Sequence, residues 1–199
     1  MKDFEGMSNE ALALLYVGGN NKAFEELLAR TQSKLFAYIL FVVRNEDVAN
    51  DIFQDTFVKV ITRLQEGQYT DSGRFTFWLT RIAHNAIMDW YRAQKNARIV
   101  DLADDNDLSL LKGEEVMDSF RESELANEQV MCDVRRMLET LPAAQREVVF
   151  MRFYQQRSFK EIAQITGVSI NTALGRMRYA LLNLRRMARE HHIELTLDC

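Results

Sequence analysis

Apolar residues recur at three- and four-residue spacing along most of the chain, which is the period of an amphipathic α-helix. In the first half the pattern predicts helices over residues 8–17, 20–44, 47–64 and 74–98. In the second half it predicts helices over 127–140 and 143–156, followed by a pair of helices within 158–186. The sequence contains one proline and eight glycines, and so few helix breakers favour an all-α fold over a β fold with many turns.

Residues 158–186 have the features of a helix-turn-helix. Ser158 can cap the first helix while Glu161 reaches back to the amide of the cap, which together make a capping box. Gly167 stands where that helix should end, because glycine takes the left-handed terminal conformation without strain. Ser169 can then cap the second helix. A short helix, a glycine turn and a second capped helix are typical of DNA-binding proteins.

The second of these helices is expected to be amphipathic and cationic. Its predicted core stripe is Ile170, Leu174, Met177, Leu181, Leu184 and Ala188. In the preceding helix, 143–156, the residues expected to face the core are Val149, Phe150, Phe153 and Tyr154. Between Val168 and Arg189 there are five arginines and no acidic residue, a balance that suits DNA. The alternative is a helical hairpin whose basic face is merely solvated, and this stretch alone does not decide between them.

Helix 47–64 carries polar residues on the side opposite its apolar stripe. These residues are Asp47, Asp51, Gln54, Asp55 and Lys59. Acidic residues near a helix N-terminus stabilise the helix, so a purely structural role is the first interpretation. A carboxylate-rich exposed face is equally suited to a basic helix of a partner.

Aromatic and basic residues alternate in helix 74–98. The aromatics are Phe75, Phe77, Trp78, Trp90 and Tyr91, and the bases are Arg74, Arg81, Arg92, Lys95 and Arg98. Rings that stack on bases, beside cations that follow phosphates, are what single-stranded nucleic acid needs. The alternative is that about half of the rings belong to the core, and Trp78, Ile82 and Trp90 are expected to be buried. His84 and Asn85 are polar residues next to this set, and His84 has no second metal ligand at helical spacing.

Charge is distributed in blocks although the formal net charge is only −4. Residues 74–98 hold five bases and one acid, and residues 135–189 hold eleven bases and three acids. Between them, residues 100–126 hold nine acids and two bases without long apolar periodicity. This predicts two domains, 1–98 and 127–199, joined by an acidic linker at 99–126 that is either a solvated spacer or a ligand for a basic channel.

Several classes of function are disfavoured. Cys132 and Cys199 form neither a disulfide framework nor a metal-ligand spacing, which fits a reducing cytosol. The N-terminus does not have the pattern of a signal peptide, and no apolar run approaches the ~20 residues that span a bilayer. There is no paired-carboxylate site, nucleophile–base set or phosphate-binding glycine loop. We therefore expect a cytoplasmic protein that is not an enzyme, binds no cofactor or metal and makes no membrane contact of its own.

Three segments in order resemble the extracytoplasmic-function sigma factors of bacterial RNA polymerase. DIFQDTFVKV at 51–60 is similar to the helix with which that family binds core polymerase. FWLTRIAHNAIMDWYR at 77–92 is similar to its promoter-melting helix pair. LPAAQREVVFMRFYQQRSFKEIAQITGVSINTALGRMRYALLNL at 141–184 is similar to its promoter-reading C-terminal domain.

The resemblance implies a role for each segment. Residues that would bind the clamp helices of the largest polymerase subunit are Asp47, Asp51, Gln54 and Asp55. Residues that would contact the single-stranded minus-10 element, with Asn85 near a pocket for a flipped base, are Phe77, Arg81, His84, Asn85, Asp89 and Arg92. Residues that would contact the double-stranded minus-35 element are Asn171, Thr172, Gly175, Arg176, Arg178 and Tyr179. An anti-sigma protein is a further partner that the resemblance implies.

The recognition helix departs from the family pattern at several positions. The family often has a basic residue where Leu174 stands, a serine at Gly175, and an Arg-Ala-Arg run where this chain has Tyr179-Ala180-Leu181. We therefore expect a sigma factor that directs polymerase to specific promoters and helps to melt them, with an upstream element of its own. The rival hypotheses are a free helix-turn-helix regulator that dimerises on a palindromic site, and a helical adaptor without DNA contact.

Overall fold

The computed structural model describes residues 4–69, 73–101 and 128–190, and every regular element in these ranges is an α-helix. The helices form two units, and the boundary between them along the chain, after Lys112, falls within the predicted linker. The all-α prediction is confirmed. The predicted linker, 99–126, lies almost entirely outside the described residues.

The first unit contains four helices: α1 (Asn9–Val17), α2 (Asn21–Val43), α3 (Glu46–Gln65) and α4 (Phe75–Asp101). Ser8, Asn20 and Asn45 begin the first three, because each side-chain oxygen accepts a hydrogen bond from the amide three residues later. Arg44 takes the left-handed conformation, with φ of 61°, and thereby separates α2 from α3. Helix α4 is one continuous helix, as the periodicity predicted over residues 74–98, and it extends to Asp101. The helix pair that the resemblance implied within 77–92 is not present.

The core of the first unit is aliphatic and aromatic. Its largest fully buried side chains are Leu12, Leu27, Tyr38, Ile39, Leu64, Phe75, Ile82 and Ile87. Long-range hydrogen bonds attach α4 to its neighbours. Glu10 of α1 accepts from the Phe75 amide at 2.8 Å, and the Tyr91 hydroxyl donates to the Val42 carbonyl at the end of α2 at 3.0 Å.

The second unit contains α5 (Glu128–Thr140), α6 (Ala143–Phe153), α7 (Phe159–Thr166) and α8 (Ile170–Glu190). Helix α8 packs against the other three. Pro142 stands just before α6 and takes an extended conformation there. The buried Arg146 donates from Nη1 to the carbonyls of Glu139 and Leu141, which lie at the end of α5 and just beyond it. A charged residue is thus used to satisfy carbonyls that the helix end leaves without partners.

Two predicted core faces in this unit are wrong in part. In α6, Val149 and Phe150 are buried as expected. Phe153, the last residue of the helix, and Tyr154, just beyond it, are 63% and 52% exposed instead. In α8, Met177 and Ala188 are buried, whereas Ile170, Leu174 and Leu181 are exposed. The buried face of α8 is instead Ala173, Met177, Ala180 and Ala188, since small residues allow helices to pack closely.

Candidate polymerase and promoter interfaces

The outer face of α3 carries all four predicted polymerase-binding residues. Asp47, Asp51, Gln54 and Asp55 are exposed, and the opposite face buries Ala49, Ile52, Thr56 and Val60. Asn45 fixes where this face begins, because its Oδ1 accepts from the Val48 amide at 2.9 Å. Lys59 forms an ion pair with Asp55 at 2.7 Å one turn along the helix. The face is therefore mostly acidic, and the buried side of α3 packs into the bundle behind it.

Val58 lies on the same outer face and was not anticipated from the sequence. It is four residues from Gln54 and three from Asp55, and 61% of it is exposed. A single exposed valine is common on protein surfaces, and it is the position of Val58 among the predicted contacts that makes it a candidate contact for a partner. The signal was present in the sequence, because the spacing of the polar positions already assigned Val58 to their side of the helix.

Helix α4 presents a polar ridge at three- and four-residue spacing. Arg81, Asn85, Asp89 and Arg92 are all exposed, and Asp89 and Arg92 form an ion pair at 2.6 Å. The opposite side buries Leu79, Ile82, Ala83 and Ile87. Phe77, at the start of the ridge, is half-buried. The structure thus brings five of the six predicted minus-10 residues onto one side of the helix.

His84 is the exception. It is 6% exposed and lies among the buried residues of α4, so the prediction that it lines the same side as Arg81 is wrong. The physical reason is its position around the helix, since His84 is displaced by about 60° from Arg81 toward the side on which Thr80 and Ile87 are buried. His84 is part of the bundle interior and is removed from the candidate contacts.

The aromatic residues of α4 are mainly structural. Trp78 packs against Tyr69 and Phe75, with ring centroids 4.9 and 5.6 Å apart, and Trp90 packs edge-on against Tyr91 at 4.8 Å. Trp78 and Trp90 are half-buried rather than buried as predicted, whereas Ile82 is buried as expected. Since Tyr91 is also tied to Val42, the rings open to a nucleic acid are fewer than the sequence suggested.

The predicted helix-turn-helix is confirmed in its local detail. The Ser158 side chain accepts from the Glu161 amide at 3.3 Å, and Glu161 accepts from the Ser158 amide at 2.9 Å, which completes the capping box. The Ser158 amide and the Ser158 hydroxyl both donate to the Glu161 carboxylate, and these two bonds lower its pKa. Gly167 ends α7 in the left-handed conformation with φ of 66°. Ser169 caps α8 by accepting from the Thr172 amide at 3.0 Å.

The first three turns of α8 present the predicted upstream-element residues outward. Asn171, Thr172, Arg178 and Tyr179 are exposed, and Gly175 and Arg176 are partly exposed. Leu174 and Leu182 are also exposed, at 43% and 47%, and were not among the predicted contacts. With Ala173, Met177 and Ala180 buried behind it, the outer side of α8 is free of acidic residues between Ile170 and Arg189.

The described residues contain no cluster of three or more histidine, cysteine or acidic side chains that could hold a metal ion. Within the same ranges, no helix combines the length and apolar character that a membrane span requires.

Family comparisons agree with this division into two units. The sequence matches Sigma-70 region 2 over residues 27–97 and Sigma-70, region 4 over residues 133–182. Together these matches cover well over half of the 199 residues. The first match spans most of α2 together with α3 and α4 up to residue 97, and the second runs from within α5 into α8.

Known proteins are similar to this chain along most of its length. RNA polymerase sigma factor CarQ of Myxococcus xanthus is 28% identical over 177 residues, which is 89% of this chain and 95% of CarQ. ECF RNA polymerase sigma factor SigE of Mycolicibacterium smegmatis is 25% identical over 172 residues, which is 86% of this chain and 64% of SigE. The structure of CnrH in complex with the cytosolic domain of CnrY is similar with a TM-score of 0.62 at 25% identity, and covers 92% of this chain and 97% of CnrH.

The exposed faces of α3, α4 and α8 thus lie mainly within the two matched regions, residues 27–97 and 133–182. The chain belongs to the extracytoplasmic-function group of the sigma-70 family, as an RNA polymerase sigma factor with regions 2 and 4 that initiates transcription and has no catalytic activity of its own.

Proposed function

We propose that the chain divides its work among three surfaces, each defined by the exposed residues described above. The outer face of α3 binds core RNA polymerase, the ridge of α4 holds the melted downstream promoter element, and the outer side of α8 binds the double-stranded upstream element. The observation that carries the proposal is α8 itself, whose capped N-terminus, buried alanine face and lack of acidic residues from Ile170 to Arg189 fit the DNA major groove.

The α3 face suits the clamp helices of the largest polymerase subunit. Asp47, Asp51, Gln54 and Asp55 offer carboxylate and amide oxygens to basic side chains of such a helix. Val58 adds an apolar contact at the C-terminal end of this face. Interfaces obtain most of their binding energy from a few central contacts, so we assign that role to Asp51 and Gln54, and Val58 a supporting apolar contact at the edge of the face.

The α4 ridge suits unpaired bases. Arg81 and Arg92 can follow phosphates, while the amide of Asn85 both donates and accepts hydrogen bonds at the edge of an extruded base. Because most rings of α4 pack within the bundle, hydrogen bonds and charge contribute more here than stacking. Phe77 is the ring in the predicted set that can stack, as it is half-buried at the start of the ridge.

The proposal also covers the domain boundaries, a further protein partner and the location of the chain in the cell. The polymerase and minus-10 functions belong to residues 1–98, the upstream element to residues 127–199, and residues 99–126 connect them. CnrH was solved with the cytosolic domain of CnrY, and an anti-sigma protein is proposed as a partner of this chain also. We propose a cytoplasmic location, because core polymerase and promoter DNA are found there.

Reconstitution tests this function. The purified chain is added to sigma-free core polymerase, and transcript start sites are mapped on genomic fragments. We expect initiation at a defined set of promoters that core polymerase alone does not use. Binding of the free chain as a dimer to a palindromic site, without any gain in initiation, would instead support a free-standing regulator.

A further inference from the structure

Gly175 has no role in the fold that requires glycine. Among the glycines that the structure describes, Gly6, Gly19, Gly67, Gly73 and Gly167 have positive φ, and a Cβ at Gly18 would lie 3.3 Å from the Leu15 carbonyl oxygen. Gly175 has neither feature, and a Cβ built on it would meet no atom within 4 Å beyond its own stretch of helix. Glycine within a helix is less stable than alanine, so the missing side chain lowers stability without a structural return.

The position of Gly175 on α8 gives the missing side chain a use. Gly175 is partly exposed on the outer side of the helix, with Thr172 three residues before it and Tyr179 four residues after it. Tyr179 is 62% exposed, and the Thr172 hydroxyl lies 2.8 Å from Ser169 Oγ within the helix cap. Thr172 and Tyr179 therefore flank Gly175 along the outer side of α8, and the open space over the bare backbone at Gly175, between these two residues, is called the notch.

The chemistry of the notch selects its ligand. The backbone amides and carbonyls at its floor are used within the helix, so a polar base edge would find no hydrogen-bond partner there. The 5-methyl group of thymine is the apolar projection that the major groove of DNA presents, and threonine methyl groups and aromatic rings are known to contact it. The five arginines of this helix, and the lack of acidic residues from Ile170 to Arg189, favour DNA over other partners.

We propose that the notch at Gly175, between Thr172 and Tyr179, receives the 5-methyl group of one thymine in the upstream promoter element. This assignment rests on the proposed function of α8 as the reader of that element. It gives the chain a preference for an A·T pair at one defined position, which is set by the absence of a side chain.

Deoxyuridine tests the notch, because it differs from thymidine only by the methyl group. Holoenzyme made from core polymerase and the full chain is first used to select a promoter from duplexes with a randomised upstream element. Each thymine of the selected element is then replaced singly by deoxyuridine in synthetic duplexes, and the dissociation constant of each complex is measured. For the wild-type chain, one replacement is expected to weaken binding about fourfold, as for one buried methyl group.

Gly175→Ala supplies the complementary change. Its methyl group fills the notch, so this variant should bind the thymine duplex more weakly than the wild type does and should prefer the deoxyuridine duplex. The free variant should melt at a higher temperature than the wild type, which separates loss of binding from loss of folding. Leu182→Ala, at an exposed position two turns farther along α8, is the matched control and should keep the preference for thymine.

The outcomes separate the two proposals. A promoter that emerges from selection but tolerates every deoxyuridine, or contains no A·T pair in its upstream element, would overturn the notch and leave the sigma function intact. A Gly175→Ala variant that still prefers thymine would also overturn it. If Gly175→Ala fails to fold, the wild-type replacements alone decide. If no promoter is selected, both proposals fail.

Discussion

The Glu10 carboxylate of α1 accepts a 2.8 Å hydrogen bond from the amide of Phe75, the first residue of α4. The first amides of a helix have no partner within it, so a residue 65 positions away serves as part of the cap. The negative charge also lies at the positive end of the α4 macrodipole. Through this bond α1 fixes the start of the helix that carries Arg81 and Asn85.

Removal of this cap should destabilise the first unit. Glu10→Ala is expected to lower its free energy of unfolding by about 1 kcal/mol, the usual effect of losing a capping side chain, and Glu10→Gln by less because the amide keeps an acceptor. Both tryptophans, Trp78 and Trp90, lie in this unit, so tryptophan fluorescence during chemical unfolding reports on it selectively. Glu25→Ala, at an exposed position of α2, is the control. Equal effects of Glu10→Ala and Glu25→Ala would contradict the capping role.

The same carboxylates predict a dependence of stability on pH. The Phe75 amide holds the pKa of Glu10 below its ordinary value of 4.5, and the Ser158 amide and hydroxyl lower the pKa of Glu161 in the same direction. A carboxyl whose pKa is lower in the folded chain stabilises the fold above about pH 4.5 and loses this effect as the pH falls through the folded-state pKa.

We therefore expect the free energy of unfolding to decrease as the pH falls below 4.5, and to do so less steeply in Glu10→Gln and Glu161→Gln. Fluorescence follows the first unit, and far-ultraviolet circular dichroism of the full chain includes the second. A pH dependence that neither substitution changes would show that other groups are responsible.

The outer face of α3 predicts a polymerase-binding defect without a folding defect. Asp51→Ala combined with Gln54→Ala should weaken binding to core polymerase by about tenfold or more, as expected for removal of central interface contacts. Val58→Ala should weaken it by a smaller factor. Affinity is measured by titration of labelled chain with core polymerase, and helix content by circular dichroism. Glu66→Ala, at the exposed end of α3, is the control; a double variant that binds like this control would remove the α3 face from the interface.

The ridge of α4 predicts a defect in promoter opening. Asn85→Ala and Arg81→Ala should each slow open-complex formation several-fold on duplex DNA, because capture of an extruded base helps to repay the cost of unstacking. Reactivity of unpaired thymines with permanganate measures opening. Polymerase binding should stay normal in both variants. Unchanged opening in both variants would contradict the role of the ridge.

The sequence was sufficient to predict what is local. The capping box of Ser158 and Glu161, the left-handed Gly167 and the cap at Ser169 depend on residues within one turn, and all are present. The helix boundaries of the first unit agree to within a residue or two for the same reason, apart from the C-terminal end of α4. The long-range cap of Phe75 by Glu10 could not be predicted, because its two residues come together only in the folded bundle.

Predictions that depend on packing were less accurate. The core stripe of α8 was assigned to bulky residues such as Leu174 and Leu181, whereas the helix buries Ala173 and Ala180. Hydrophobicity alone does not distinguish a residue that packs in the core from one that is exposed on the surface. Alanine is only weakly hydrophobic, so its position in the pattern gives little indication of burial. Phe153 was misplaced likewise. His84 was misplaced because its polarity was given more weight than its angular position on α4.

Separate loss of polymerase binding and promoter choice tests the central claim most directly. Core polymerase is combined with the wild-type chain, with the Asp51→Ala and Gln54→Ala double variant, or with the Arg176→Ala and Arg178→Ala double variant. Complex formation and promoter-specific initiation are measured in the same samples. We expect the α3 variant to lose both, and the α8 variant to form the complex but to lose initiation at promoters that depend on the upstream element. Full initiation by both variants, or promoter binding by the free chain that does not need polymerase, would contradict the division of function among these surfaces.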